Sequence, residues 1–354
     1  DTLQVKQYQR HEWSVELLRG IAALMVVFAH YYTMAGIEPG LLKFSFSGVD
    51  LFFVISGFVF APYLFGKRFR IIPFLIRRFF RIYPLYLVAL LAYIGLHGYR
   101  NQGMDHITAH LFFLHTLESR EIAFYYNPAF WSLPPEIEFY FFLPLLLLIA
   151  IQARHFAMVF LGALFMHLVI AYMTPDSVTE ISHWTILAVH LPGMLIEFLL
   201  GGLVWYVITQ SPTFRARVLL FLTGLFLWIS LAHFFSLHGD GAIAAQPIFR
   251  GNMGLFAAVA YGLMLCGWIG FIKNPPCWLQ QFSITLGNLS YGIYLFHNAV
   301  PAALHELSYY MTNQYLVLTY LVCTLLIAHL SHRHIEAPLR TLGRLWTSKI
   351  TQSQ

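Results

Sequence analysis

Long apolar runs recur from one end of the chain to the other, separated by short polar stretches, and each is about as long as a membrane-crossing helix. In order they predict ten helices, near residues 15–34, 48–66, 82–98, 131–151, 156–173, 185–208, 217–236, 252–271, 284–304 and 315–333. A spanning helix needs about 20 apolar residues, whereas a barrel strand needs only about ten. The runs are too long and continuous for strands, so the pattern predicts an all-α, polytopic membrane helical bundle. The longest connection, 99–130, contains HITAHLFFLHTL and predicts a short interfacial or re-entrant helix. Polar residues precede the first run and no small-residue cleavage pattern trails it, so it reads as a retained helix rather than a signal peptide. No internal repeat is visible. One membrane domain over residues 1–354, without an appended soluble domain, is expected.

Composition sharpens the class. The chain is 58% hydrophobic and 10% charged, against roughly 45–50% and about 25% in soluble domains. With the N-terminus placed in the cytoplasm and sides alternating, the outer loops hold Lys43, Arg100, Arg120 and Arg250. The other seventeen of the 21 Lys and Arg residues fall on the cytoplasmic side. Basic residues near span ends set orientation, so both termini are expected inside. Membrane lipids are expected partners and nucleic acid is not. Cys266, Cys277 and Cys323 are odd in number and show neither a disulfide framework nor metal spacing, so no metal site is expected.

Ionisable residues inside the runs carry the candidate chemistry, because such groups are costly in lipid and usually face a protein interior or a water-filled cavity. Arg19 opens the first run and His30 lies well along it, about 16 Å further if helical, roughly half the hydrocarbon thickness. Two readings stand for each residue. Arg19 either snorkels to the inner interface or lines a site. His30 either packs with its hydrogen bonds satisfied or does chemistry. Asp50 opens the second run.

KRFRIIPFLIRRFFRIYP predicts an amphipathic helix from about Pro73, with Arg77, Arg78 and Arg81 on one face. It fits an anchor on anionic headgroups, and also a clamp for a phosphate-rich ligand, since guanidinium forks match phosphate oxygens in pairs.

Further along, FWSLPPEIEFYFFLPLLL puts Glu136 about a turn into an apolar helix with Tyr140 four residues on, behind Trp131 and Ser132. ITLGNLSYGIYLFHNAVP aligns Tyr291, Tyr294 and His297 at steps of three. That stripe serves helix packing or lines a cavity. In SHRHIEAPLR, Glu336 has Arg333 and Arg340 within a turn on either side.

Taken together, these segments resemble the acyltransferase 3 family of integral membrane acyltransferases. The resemblance covers nearly the whole chain, with the motifs in order. ELLRGIAALMVVFAH is similar to the family's arginine and histidine separated by ten residues, here Arg19 and His30. GVDLFFVISGF is similar to its second-helix signature, and RRFFRIYPLYL to its paired arginines, here Arg78 and Arg81. WSLPPEIEFYFFLPLLL resembles its Trp-Ser-Leu-x-x-Glu-x-x-Phe-Tyr pattern, with Pro134 and Pro135 replacing the usual small or apolar pair. LGNLSYGIYLFHNAV and HIEAPLR resemble its later segments.

The resemblance implies O-acyl transfer, most often of acetyl, from cytoplasmic acyl-CoA to a hydroxyl. The acceptor it implies is a cell-surface glycan, its lipid-linked precursor or another carbohydrate-like molecule, and the implied location is a bacterial inner membrane. No permanently bound cofactor is expected; acetyl-CoA is a co-substrate. On this reading Arg78 and Arg81, helped by Arg77 and Arg19, hold the acyl-CoA. His30 is the general base, with Asp50 first and Glu136 second as the carboxylate that orients it. Trp131, Ser132, Tyr140, Tyr291, Tyr294 and His297 line the cavity or contact the acceptor. A transporter of a glycan precursor or metabolite is the rival; the lack of repeat symmetry counts against it. Oligomeric state is open.

Overall fold

The computed structural model describes residues 2–99, 106–117, 120–149, 153–175, 182–244, 248–249 and 251–352. Arg100 and Arg250, expected in outer loops, lie outside them. The described residues are helical, without strands. The principal helices are α1 (Thr2–Met34), α2 (Gly48–Leu64), α3 (Ile71–Tyr99), α4 (Leu133–Ile149), α5 (Ala153–Met173), α6 (Leu191–Thr209), α7 (Phe214–Ala244), α8 (Met253–Trp268), α9 (Cys277–Phe296), α10 (Asn313–Ser331) and α11 (Ala337–Gln352).

Each predicted span falls on one of the first ten. Seven helical stretches among the described residues are long and apolar enough to cross a membrane. The helices outside those stretches are α4 and α8, which have 17 and 16 residues, and α9, which carries Gln280, Gln281 and Asn288.

Proline explains most of the differences from the predicted boundaries, because it lacks an N–H and its ring clashes with the carbonyl four residues back. The predicted helix 185–208 is two helices, His183–Val189 and α6, with His190 extended between them just ahead of Pro192. The predicted helix 284–304 stops at Phe296 and resumes as Ala299–Ala303, since Pro301 cannot continue a helix through His297. After α10 the chain widens into a π-helical turn, His332–Glu336, before α11; Pro338 stands four residues after His334. In contrast, the predicted amphipathic segment and third span are one 29-residue helix, α3, which runs through Pro84. The 99–130 connection holds two short helices, Ile107–Leu111 and Arg120–Phe124, followed by a 3₁₀ turn, Pro128–Ser132.

The chain forms two compact units: residues 1–29, 39–67 and 145–288, and residues 30–38, 68–144 and 289–354. In the first, α2 and α6 touch backbone to backbone. A Cβ at Gly57 would stand 1.7 Å from the Phe198 carbonyl oxygen, and one at Gly201 would stand 2.0 Å from that of Val54. Small residues permit such approach where lipid gives helices no hydrophobic reason to associate. Ser47, Trp228 and Tyr261 join through a buried hydroxyl network, with Trp228 Nε1 donating to Tyr261 Oη at 2.7 Å.

The second unit packs α3, the start of α4, the end of α9, α10 and α11. Its core is aromatic, around Tyr86, Tyr93, Tyr126, Phe130 and Phe296. Buried tyrosines need partners for their hydroxyls. Tyr86 donates to the His110 carbonyl and Tyr93 to that of Leu295.

Candidate active site

Most of the sequence-predicted site residues fall in the second unit. Its functional side chains come from helix ends and breaks. His30 sits near the end of α1, and the break after Phe296 presents His297. The two imidazoles stand side by side, ring centres 5.0 Å apart with planes tilted by 59°. Nδ1 of His297 lies 2.7 Å from the Tyr294 carbonyl oxygen. A carbonyl can only accept, so Nδ1 carries the hydrogen and, in the neutral ring, Nε2 keeps a bare lone pair.

A pocket of about 220 Å³ opens beside His30, with Tyr93, His97, Tyr126 and Asn298 in its wall. The 3₁₀ turn before α4 forms part of its frame. Asn127 caps that turn by accepting from the Ala129 N–H, and it also accepts from Asn298 Nδ2 at 2.7 Å. Tyr294 Oη donates to the Ala129 carbonyl at 2.7 Å, so Ser132, 2.6 Å from the same oxygen, is the donor to Tyr294. Ser132 and Tyr294 thereby brace the start of α4. Trp131 lies half-buried in the same turn.

A charged cluster forms around the first turns of α3 and α4. Tyr140 donates a short hydrogen bond to Glu136 Oε1. The Arg78 guanidinium lies 5.7 Å from the ring centres of both Phe74 and Tyr140, an arrangement that attracts a cation to the ring face. Arg78 and Arg81 are half-buried while Arg77 is exposed, so the three arginines do not share one environment. Tyr291 donates to the Ile82 carbonyl and lies within electrostatic reach of Glu136 and Glu336. Glu336, 2% exposed, accepts from Arg340 and pairs with His332; Arg333, expected on its other side, is exposed.

Arg19 and Asp50 lie in the first unit. Arg19 donates to Glu16 at 3.1 Å, one turn earlier in α1. Asp50 meets Glu197 of α6, and both are buried. A Cβ at Gly254 would stand 2.7 Å from Asp50 Oδ1 and 3.0 Å from Glu197 Oε1, so the two oxygens converge on one point. A hydrogen bond between two carboxyl groups takes a proton on one of them. Glu197 was not singled out from the sequence, although a lone carboxylate inside LPGMLIEFLLGG was the available signal. His97, Tyr93, Tyr126 and Asn298 were also missed; Asn298 directly follows His297. Among the described residues no group of three or more metal-ligating side chains forms a metal site.

A family model described as an acyltransferase domain matches residues 12–333. The chain belongs to the acyltransferase 3 family. The chain is similar to a "Putative acetyltransferase" of Acidianus two-tailed virus, 25% identical over 79% of this chain and 80% of the viral one. A "Putative O-acetyltransferase" of Staphylococcus aureus strain COL is 26% identical over 92% of this chain and 57% of its own length. The chain thus spans a little over half of the staphylococcal relative. A Rhizobium radiobacter protein, "Protein 2 in picA locus", is 45% identical over 21% of this chain and 39% of that protein. No solved structure matches. With its apolar helices, this acyltransferase 3 member is an integral membrane protein of an acyltransferase family. Within that family the glycine of its ISGF stretch has a physical task here, the contact of Gly57 with α6.

Proposed function

We propose that this protein is a membrane O-acyltransferase that moves an acyl group, acetyl in the first instance, from cytoplasmic acyl-CoA to a carbohydrate hydroxyl. The carrying observation is that the second unit holds a histidine at a pocket together with half-buried arginines. The acceptor is a cell-surface glycan or its lipid-linked precursor, and the membrane is a bacterial inner membrane.

Arg78 and Arg81 hold the phosphates of CoA, and Arg77 adds positive charge beside them. The contact of Arg78 with the Phe74 and Tyr140 rings supports this role, because a guanidinium can lie against aromatic faces and still offer its N–H groups to phosphate oxygens. The acceptor hydroxyl enters the pocket at His30. As the hydroxyl oxygen attacks the thioester carbon, His30 takes its proton. The carbon–sulfur bond breaks, and the proton passes from His30 to the departing thiolate, leaving an ester and free CoA. No acyl-enzyme is needed, and the engagement of Ser132 with Tyr294 supports direct transfer. Glu136 holds Tyr140 under Arg78 and keeps the donor site's shape.

Membrane vesicles given radiolabelled acetyl-CoA test both the reaction and its sidedness. Inside-out vesicles should label glycan or a soluble sugar acceptor, and right-side-out vesicles should not. Movement of sugar across the membrane with no acetyl transfer in either preparation would support the transporter instead.

A further inference from the structure

With His30 as the base, the chemistry constrains where the donor's acyl group goes. The thioester carbon must lie within bonding reach of the hydroxyl oxygen whose proton His30 takes. The carbons beyond it then run into the space that adjoins His30, the pocket of about 220 Å³. The wall of that pocket is largely apolar, with Met34, Tyr93, Leu96, Pro128 and Ala302 beside His30. Tyr93 has given its hydroxyl to the Leu295 carbonyl, which leaves its ring as pocket wall. None of the described residues lining the pocket is an aspartate, glutamate, lysine or arginine. Such a wall favours hydrocarbon, which gains by leaving water. The volume exceeds the need of an acetyl methyl, since an apolar cavity of about 150 Å³ holds benzene. The reach is also suitable. Tyr93 stands twelve residues beyond Arg81 on α3, about 18 Å along the helix. The arm of CoA between its phosphates and its sulfur has roughly thirteen bonds, about 16 Å when extended. One helix thus carries the arginines proposed for the phosphates and, an arm's length on, part of the pocket wall.

We infer that this pocket holds the hydrocarbon part of the donor's acyl group. It takes straight chains longer than acetyl, up to roughly six carbons by its volume, and Leu96 and Ala302 set the limit. The acceptor hydroxyl meets the thioester at His30, and the chain lies against the apolar wall. Acyl groups that end in a carboxylate are refused, because the described wall offers such a charge no cation in exchange for water. The inference deepens the transferase reading proposed above and rests on it.

The test is calorimetric titration of the full-length protein in nanodiscs with S-methyl-, S-butyl- and S-hexyl-CoA, and with S-(3-carboxypropyl)-CoA. These thioethers cannot transfer their chains, so binding is read without an acceptor. Empty nanodiscs are titrated in parallel to subtract partition into lipid. Affinity should rise from methyl to hexyl, by up to roughly fourfold for each methylene buried. The carboxypropyl thioether should bind more weakly than the butyl one. Ala302→Leu fills the pocket and should cut the advantage of hexyl over methyl about tenfold. Leu96→Phe is a second filling variant, at a partly exposed position, and should act in the same direction. Because the ratio of two affinities is read, a general loss of fold does not imitate the result. The inference is overturned if S-hexyl-CoA binds no tighter than S-methyl-CoA, or if neither filling variant narrows the difference. It is also overturned if the carboxypropyl thioether binds as well as the butyl one. Binding that is independent of chain length would sink the acyl pocket alone. Failure of every thioether to bind, the methyl one included, would sink the donor reading with it.

Discussion

His297 stands beside His30 with ring centres 5.0 Å apart, and its own Nδ1–H is fixed on the Tyr294 carbonyl. Of the two, His30 lines the pocket, which makes it the residue placed to receive an acceptor's proton. His30→Ala should lower acyl transfer by roughly 10²–10⁴-fold, the usual contribution of a positioned base, and leave acyl-CoA binding intact. A base works only when neutral, so the wild-type rate should also fall on the acid side. Turnover assays at saturating substrates check this. Wild-type turnover in His30→Ala would pass the role to His297.

Loss of both guanidinium groups in Arg78→Gln with Arg81→Gln should weaken acyl-CoA binding. Two charge-assisted contacts are worth about 3 kcal/mol or more, near a hundredfold in Kd. Arg81→Lys should be only partly tolerated, because an ammonium cannot make the paired contact. Binding of acetyl-CoA to the solubilised protein is the measurement. An unchanged Kd in the double variant would leave these arginines as an anchor for anionic headgroups.

Asp50 has its contact with Glu197 in the first unit, and the sequence also suggests it as the residue that orients His30. Asp50→Asn separates the two roles. An amide can still hydrogen-bond to Glu197, so thermal stability should change little. A lowered kcat with unchanged acyl-CoA binding in this folded variant is the expected result. Wild-type kcat would confine Asp50 to structure.

Gly57→Ala should fail or nearly fail to fold, since its methyl would meet the backbone of Phe198. Overpacking typically costs roughly 1–3 kcal/mol, and occasionally more where backbone must move. Gly162→Ala in α5 is the control. Nothing lies within 4 Å of a Cβ there, so it should be neutral or gain about 0.5–1 kcal/mol from helix propensity. Comparable thermal unfolding of the two variants would contradict the close helix contact.

His110, in the short helix Ile107–Leu111, stacks on His115 with ring centres 4.4 Å apart. Burial pushes its imidazole down from 6.5 to about 4, opposed by the hydrogen bond to the His106 carbonyl and reinforced by the neighbouring imidazoles of His106 and His97. Between these values the unfolded chain binds a proton that the folded chain does not. Stability is therefore full above about pH 6.5 and falls as the pH drops towards 4. Melting temperatures between pH 7 and pH 4.5 should fall less steeply in His110→Gln. Parallel curves for variant and wild type would remove His110 as the cause.

The sequence by itself determined that this is an all-helical membrane protein, about where its long helices lie, and which charged residues stand inside them. Those properties are local: they depend on run length, and an arginine or histidine inside such a run is conspicuous wherever the run packs. Tertiary structure decided which groups meet. Asp50 and Glu197, 147 positions apart, converge on Gly254 because α2, α6 and α8 pack within one unit. His30 meets His297 because the chain leaves its helical path between Phe296 and Ala299, ahead of Pro301. The pocket draws His97 from the end of α3 and Asn298 from that same break. Such pairings follow from how side chains stack once helices are in contact, and no period of a single helix encodes them.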